Sequence, residues 1–190
     1  MALTLTMPTF AAPADADPLD AAAALVAAAR EGDRGAFGQL YERYARMVHG
    51  VLVARVPREE AADLVHEVFL SALRKLAGLR DDRAFGGWLA ALARHRAADY
   101  HRGAAPRAEE LPEELPDEGQ ASQRVSAEAA QALAAIRRLP DAYRETLVLR
   151  LVEGLSGPEI AAQTGLTPDS VRVNLHRGMK LLRAELEKPR

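Results

Sequence analysis

One stretch near the end of the chain constrains its fold more than any other: residues 156–188, SGPEIAAQTGLTPDSVRVNLHRGMKLLRAELEK. Ser156 followed three residues later by Glu159 forms a capping box, in which the serine oxygen accepts from a free backbone N–H and the glutamate reaches back. The spacing predicts a helix from Ser156 to Thr164. Gly165 then closes it, because glycine adopts positive φ without steric cost. Thr167 is the next N-cap, Pro168 fits the first helical position, and Asp169 faces the positive end of the new helix dipole. Ile160, Leu166, Val171 and Leu175 are placed to meet across the turn, and Met179, Leu182 and Leu186 extend the buried stripe. This is a helix-turn-helix pattern. The other face of its second helix carries Ser170, Arg172, Asn174, His176, Arg177 and Lys180. Forked donors suit guanine, an amide suits adenine, and cations suit phosphate.

The rest of the chain also reads as helix, with no alternating run that signals a strand. Asp20 caps an alanine-rich helix ending at Gly32. Another starts after Asp33, buries Phe37, Leu40, Tyr41, Tyr44, Val48, Val51 and Leu52, and stops near Val56-Pro57. A third spans about 58–77, with a stripe of Ala61, Leu64, Val65, Val68, Phe69, Ala72, Leu73 and Leu76, and with Asp63, His66 and Glu67 opposite. A loop over 79–83 follows, with Asp82 as N-cap. A fourth helix runs over 84–102 with Phe85, Trp88, Leu89, Leu92 and Ala93 inward. Gly103 ends it.

Residues 104–126 contain three prolines and six acids and carry no apolar period, so they read as a flexible acidic linker. Its length reaches roughly 75 Å fully stretched, at about 3.3 Å per residue. Beyond it, helices around Ala130–Ile136 and Pro140–Leu151 complete a four-helix unit with the helix-turn-helix. The expected architecture is therefore all-α: a disordered tail (1–19), a helical domain (20–103), the linker (104–126) and a second helical domain (127–190).

Charge follows this division. The chain has a net charge of -2. Residues 21–103 carry 13 Lys/Arg against 10 Asp/Glu, residues 104–126 carry 2 against 6, and residues 127–190 carry 10 against 8. Two mildly basic modules flanking an acidic segment suit nucleic acid better than a uniformly charged body would.

Several function classes fall away. With no cysteine, there is no disulfide, thiolate metal site or thiol redox chemistry. No apolar run reaches membrane-spanning length, and the N-terminus lacks the basic region of a signal peptide. The five histidines, His49, His66, His95, His101 and His176, form no HExxH pair. No glycine-rich loop cradles phosphate, and Ser156 and Ser170 already serve as caps. No cofactor or metal is called for. On residues alone, a helix-turn-helix protein that binds DNA remains, such as a regulator with a ligand-binding or dimerising first domain, and beside it a helical adaptor without DNA contact.

The order of three blocks selects among them. They are Asp63-Leu64-Val65-His66-Glu67-Val68-Phe69-Leu70; Phe85-x-x-Trp88-Leu89 with Ala93-Arg94-His95 and Asp99-Tyr100-His101-Arg102; and Leu139-Pro140 through Glu153-Gly154-Leu155-Ser156, then Glu159-Ile160-Ala161 and Val171 through Arg177. Over residues 21–185 the chain resembles an extracytoplasmic-function sigma factor of the sigma-70 factor family. The resemblance implies that Asp63, His66 and Glu67 contact core RNA polymerase. It implies that Arg80 and Arg83 of the loop, with Arg94, Arg96, His101 and Arg102 of the fourth helix, serve the melted minus-ten element, where unpaired strand needs cations and pockets. Ser170, Arg172, Asn174, His176, Arg177 and Lys180 then serve the minus-thirty-five element. Promoter DNA, core polymerase and an anti-sigma factor are the implied partners, and the cytoplasm the implied location. His95, His66 and Asn174 depart from the residues usual in the family at those places.

Overall fold

A computed structural model describes residues 18–103 and 120–188. Every regular element among them is helical: α1 (Pro18–Arg30), α2 (Arg34–Val53), α3 (Arg58–Lys75), α4 (Phe85–Gly103), α5 (Gln120–Arg137), α6 (Asp141–Leu151), α7 (Gly157–Thr164) and α8 (Pro168–Leu186), with 3-10 turns at Leu76–Gly78 and Asp82–Ala84. The all-α expectation is met. Of the tail expected at 1–19 and the linker expected at 104–126, residues 1–17 and 104–119 lie outside the described residues.

Local rules account for most boundaries. Asp33 accepts hydrogen bonds from the N–H groups of Gly35 (2.8 Å) and Ala36 (3.0 Å), starting α2. The capping box at α7 is closed in both directions: Ser156 N–H donates to Glu159 Oε2 at 2.7 Å, and Glu159 N–H to Ser156 Oγ at 3.3 Å. Gly165 ends that helix at φ 75°. Thr167 Oγ1 then accepts from Ser170 N–H at 3.2 Å to begin α8. Such caps are worth about 1 kcal/mol each.

Four expectations are corrected. The 3-10 turn before α4 is capped by Asp81, which accepts from Arg83 N–H; Asp82 is drawn away instead by an ion pair with Arg30 of α1. Leu73 and Leu186, assigned to buried stripes, are 48% and 44% exposed: Leu73 falls on the outward side of α3 with Leu70, while Ala72 and Leu76 of the same turn are buried, and Leu186 is the last residue of α8. α5 starts at Gln120, so helix occupies part of what the proline and acid pattern suggested was linker. α1 starts at Pro18 rather than Asp20; proline's fixed φ suits a first helical position.

Helices α1–α4 form one half and α5–α8 the other. The halves do not stand apart. α6 and α7 lie on α2, α7 also lies on α4, and buried side chains from both halves join in one apolar cluster, with Leu40, Val48 and Leu89 on one side and Leu147, Leu149 and Ile160 on the other. Glycines permit the approach. A Cβ on Gly86 would sit 2.4 Å from the Gln163 carbonyl oxygen, and one on Gly50 would sit 2.7 Å from Leu149 Cδ2.

Candidate nucleic-acid interface

α8 presents the broadest cationic face. Val171 and Leu182 are buried, Gly178 packs where a Cβ would lie 3.1 Å from Leu147, and this fixes the opposite side outward. Ser170, Arg172, His176, Arg177 and Lys180 are exposed, and Asn174 is half-buried. Arg172 reaches back to Asp169 at 3.1 Å, in a pair open to solvent on both sides. The Ser170 hydroxyl shares a 2.8 Å hydrogen bond with Thr167 Oγ1, so it belongs to the cap. His176 and Lys180 join Leu175, Met179 and Arg183 around a shallow groove of about 440 Å³. An exposed row of donors and cations on a capped helix can meet base edges and phosphates together.

α4 is the second cationic helix; Arg94 and Arg96 reach acids on other helices, whereas His101 and Arg102 stay exposed. Arg94 forms a two-pronged pair with Glu145 of α6, through Nε at 3.0 Å and Nη2 at 2.7 Å. That carboxylate also takes Arg55 Nη2 at 2.8 Å. Glu145 is buried, and its hydrogen bond raises the Arg94 pKa above the ordinary value despite partial desolvation. Arg96 pairs with Glu67 of α3 at 2.6 Å, which likewise raises its pKa. His101 Nε2 lies 2.9 Å from the Arg55 carbonyl, and Arg102 pairs with Asp99 one turn away. Trp88 is half-buried against the core, its ring 5.8 Å from Phe85. In the loop, Arg80 is exposed, while Arg83 pairs with Asp20.

α3 offers a third surface. Asp63, His66 and Glu67 are exposed on one side of the helix. His66 stacks on Tyr41 with ring centroids 6.0 Å apart. Leu70 and Leu73, 56% and 48% exposed, continue the same side. The result is a strip of acidic and apolar residues, with Arg96 of α4 resting on its Glu67, suited to a protein partner rather than to DNA.

Sequence reasoning missed the joint between the halves. Glu145, Arg55, Arg137 and the glycines Gly86 and Gly87 were not singled out. Arg137 of α5 donates to the Val53 carbonyl at 3.1 Å and the Val56 carbonyl at 2.7 Å. It thereby satisfies carbonyls left open where α2 ends, while burial pushes its pKa down. Glu145 directly precedes Thr146, Leu147, Val148 and Leu149, all buried, and that was the one available signal: four consecutive buried positions cover every side of a helical turn, and the acid beside them is drawn in too. Among the described residues no cluster of His, Asp and Glu can hold a metal, and no helix is long and apolar enough to cross a membrane.

Comparison with known proteins matches the two halves separately and in order. Residues 40–107 match the family described as Sigma-70 region 2, and residues 129–182 the one described as Sigma-70, region 4. The chain is 37% identical over 175 residues to the ECF RNA polymerase sigma factor SigD of Mycobacterium tuberculosis, covering 86% of this chain and 82% of SigD. It is 31% identical over 166 residues to the ECF RNA polymerase sigma factor BldN of Streptomyces coelicolor, covering 83% of this chain and 63% of BldN. Among solved structures, CnrH of Cupriavidus metallidurans, in complex with the cytosolic domain of CnrY, superposes with a TM-score of 0.60 at 27% identity, covering 88% of this chain and 98% of that one.

Proposed function

The chain belongs to the extracytoplasmic-function class of the sigma-70 factor family, RNA polymerase sigma factors that direct promoter recognition, and from that premise we propose how its surfaces divide the work. The strip on α3, with Asp63, His66, Glu67, Leu70 and Leu73, docks on core polymerase. The exposed face of α8 reads upstream duplex, with Arg172, Asn174, His176, Arg177 and Lys180 as its contacts and Ser170 holding the helix N-terminus. Arg80 and the cations of α4, Arg94, Arg96, His101 and Arg102, hold separated strand, with Arg83 positioning the loop through Asp20. We assign residues 20–103 and 127–190 as the two working units. The action is non-covalent and needs no cofactor.

The observation that carries this reading is the pairing, in one chain, of an acidic and apolar outer strip on α3 with a capped cationic face on α8. Protein docking and duplex binding need opposite surfaces, and here they sit on different halves. A partner of the anti-sigma type is supported by the likeness to CnrH, which is solved with CnrY. The cytoplasm, where polymerase works, is the proposed location.

Run-off transcription with purified core polymerase tests the function. Adding this chain should produce defined transcripts from a genomic fragment library, and core enzyme alone should not. Identical products with and without the chain would overturn the reading.

A further inference from the structure

We propose that α1 is a splint for the strand-holding loop, and that Arg30 is the positioning residue through which it sets which bases the loop accepts. This rests on the assignment of Arg80 and the loop at 79–83 to separated strand.

α1 lies before residues 40–107, the part of this half that matches Sigma-70 region 2. It runs along α2, with Ala22, Val26 and Ala29 buried. Its polar ends reach the loop. At the C-terminal end, Arg30 Nη2 donates to the Leu79 carbonyl at 3.1 Å, and Nη1 and Nη2 both meet the Asp82 carboxylate. One guanidinium thus ties the start of the loop to its finish. Asp20 stands ten residues back along the helix, about 15 Å away at 1.5 Å per residue. It takes Arg83 Nε at 2.7 Å. Within the loop, Asp81 accepts from the Arg83 N–H at 3.0 Å. Asp81, Asp82 and Arg83 are therefore all engaged. Arg80 alone of the loop's charged side chains has no partner among the described residues, and it is exposed.

The braced loop forms one wall of a cleft. Leu79, Arg80 and Asp81 face Trp88 at the start of α4 and Leu166 of the helix-turn-helix across about 710 Å³. Arg30 does not line this cleft. It holds the wall without touching what enters. The charge on Arg80 attracts any strand, whatever its bases. A wall that admits one extruded base and refuses another must instead keep its shape. Arginine suits that task because its planar fork grips two acceptors at once, which the point charge of a lysine cannot do. Loss of the fork would release the Leu79 carbonyl and Asp82 together. Affinity for strand would fall little, and choice among bases would blur.

The test reads preference rather than yield. A promoter that the wild-type chain selects from the genomic fragment library is randomised in two separate pools, one in the upstream duplex segment and one in the melted segment. Run-off transcripts made with purified core polymerase are sequenced from each pool. Arg30→Lys keeps the charge and removes the fork. It should flatten base preference in the melted segment about fivefold and leave preference in the upstream segment unchanged. A variant that merely folds less well makes less transcript from both pools and keeps both preferences. The double variant Arg30→Gln, Asp82→Asn restores the local charge balance and should flatten the melted segment as strongly. Asp20→Asn frees the other end of the loop and should do so more weakly. Wild-type preference in Arg30→Lys, equal flattening of both segments, or recovery in the double variant would overturn the splint. Absence of transcripts with the wild-type chain would strike the sigma-factor reading itself. Wild-type preference confined to the upstream segment would strike the loop's assignment, and the splint with it.

Discussion

α4 and α8 are both 19 residues long and both rich in arginine and histidine, yet their cations meet different fates. On α4, Arg94, Arg96 and Arg102 each hold a carboxylate, and His101 meets a carbonyl. On α8, the ion pair that a cation of the helix makes among the described residues is Arg172 with Asp169, open to solvent like Arg102 with Asp99, and no acid from another helix holds a cation there. Charge content therefore does not decide what a helix can offer to DNA. What decides is which acids the fold brings to it, and for Arg94 that acid comes from a different half of the molecule.

The sharpest way to break this contrast is stability. Glu145→Ala leaves Arg94 and Arg55 facing a seam with no counter-charge and should cost about 3 kcal/mol, the scale for stripping one partner from a buried pair. Arg172→Ala on α8 should change stability by less than about 0.5 kcal/mol, as exposed pairs do. Urea unfolding of both variants measures the difference, and equal shifts would abolish it. Next in size is duplex binding. Arg177→Ala should weaken it and reduce the slope of log affinity against log salt by about 1, as loss of one phosphate contact does. Arg94→Ala should leave that slope unchanged. Salt titration of both variants decides whether the two helices differ in access.

α3 sharpens the comparison from the protein side. Leu70→Ala and Asp63→Ala should each lower affinity for core polymerase severalfold, about 1 kcal/mol, while leaving the duplex salt slope alone. Co-purification at wild-type levels would remove the residue concerned from that surface. The smallest effect belongs to Glu159. Hydrogen bonding from Ser156, its side chain first and then its backbone N–H, holds the Glu159 carboxyl below the usual range. A depressed folded pKa means this contribution is present above the ordinary carboxylate range and is lost as pH falls through the folded value. Glu159→Gln should therefore flatten the acid side of the stability profile slightly, by a margin kept small by the residue's exposure. An unchanged profile would show that the capping box adds nothing below that range.

What could be read from residues alone was whatever neighbours decide. The caps at Asp33, Ser156 and Thr167, the stop at Gly165 and the buried stripes of α2 and α7 depend on residues within a turn or two. The order of the three blocks located both halves. What stayed hidden depends on distant chain. Asp82 loses its capping role to Arg30, 52 residues earlier, and Arg94 finds Glu145, 51 residues later. Leu73 sits at the outward edge of a stripe whose Ala72 and Leu76 are buried, and Leu186 is the last residue of its helix. The seam itself left only a faint trace, an acid next to the run Leu147-Val148-Leu149.

Gly165 answers to two demands at once. Its φ of 75° closes the turn of the helix-turn-helix, and a Cβ there would come within 3.4 Å of Gly87 Cα. Asparagine commonly stands in for glycine in left-handed backbone, but its larger side chain would have to find room against a helix surface 78 positions earlier in the chain. The hinge of the reading motif is thus also a fitted surface, and its acceptable chemistry is narrower than the turn alone would require. Grafting this motif onto another scaffold would relax that requirement, whereas transplanting a foreign motif into this chain would have to respect it.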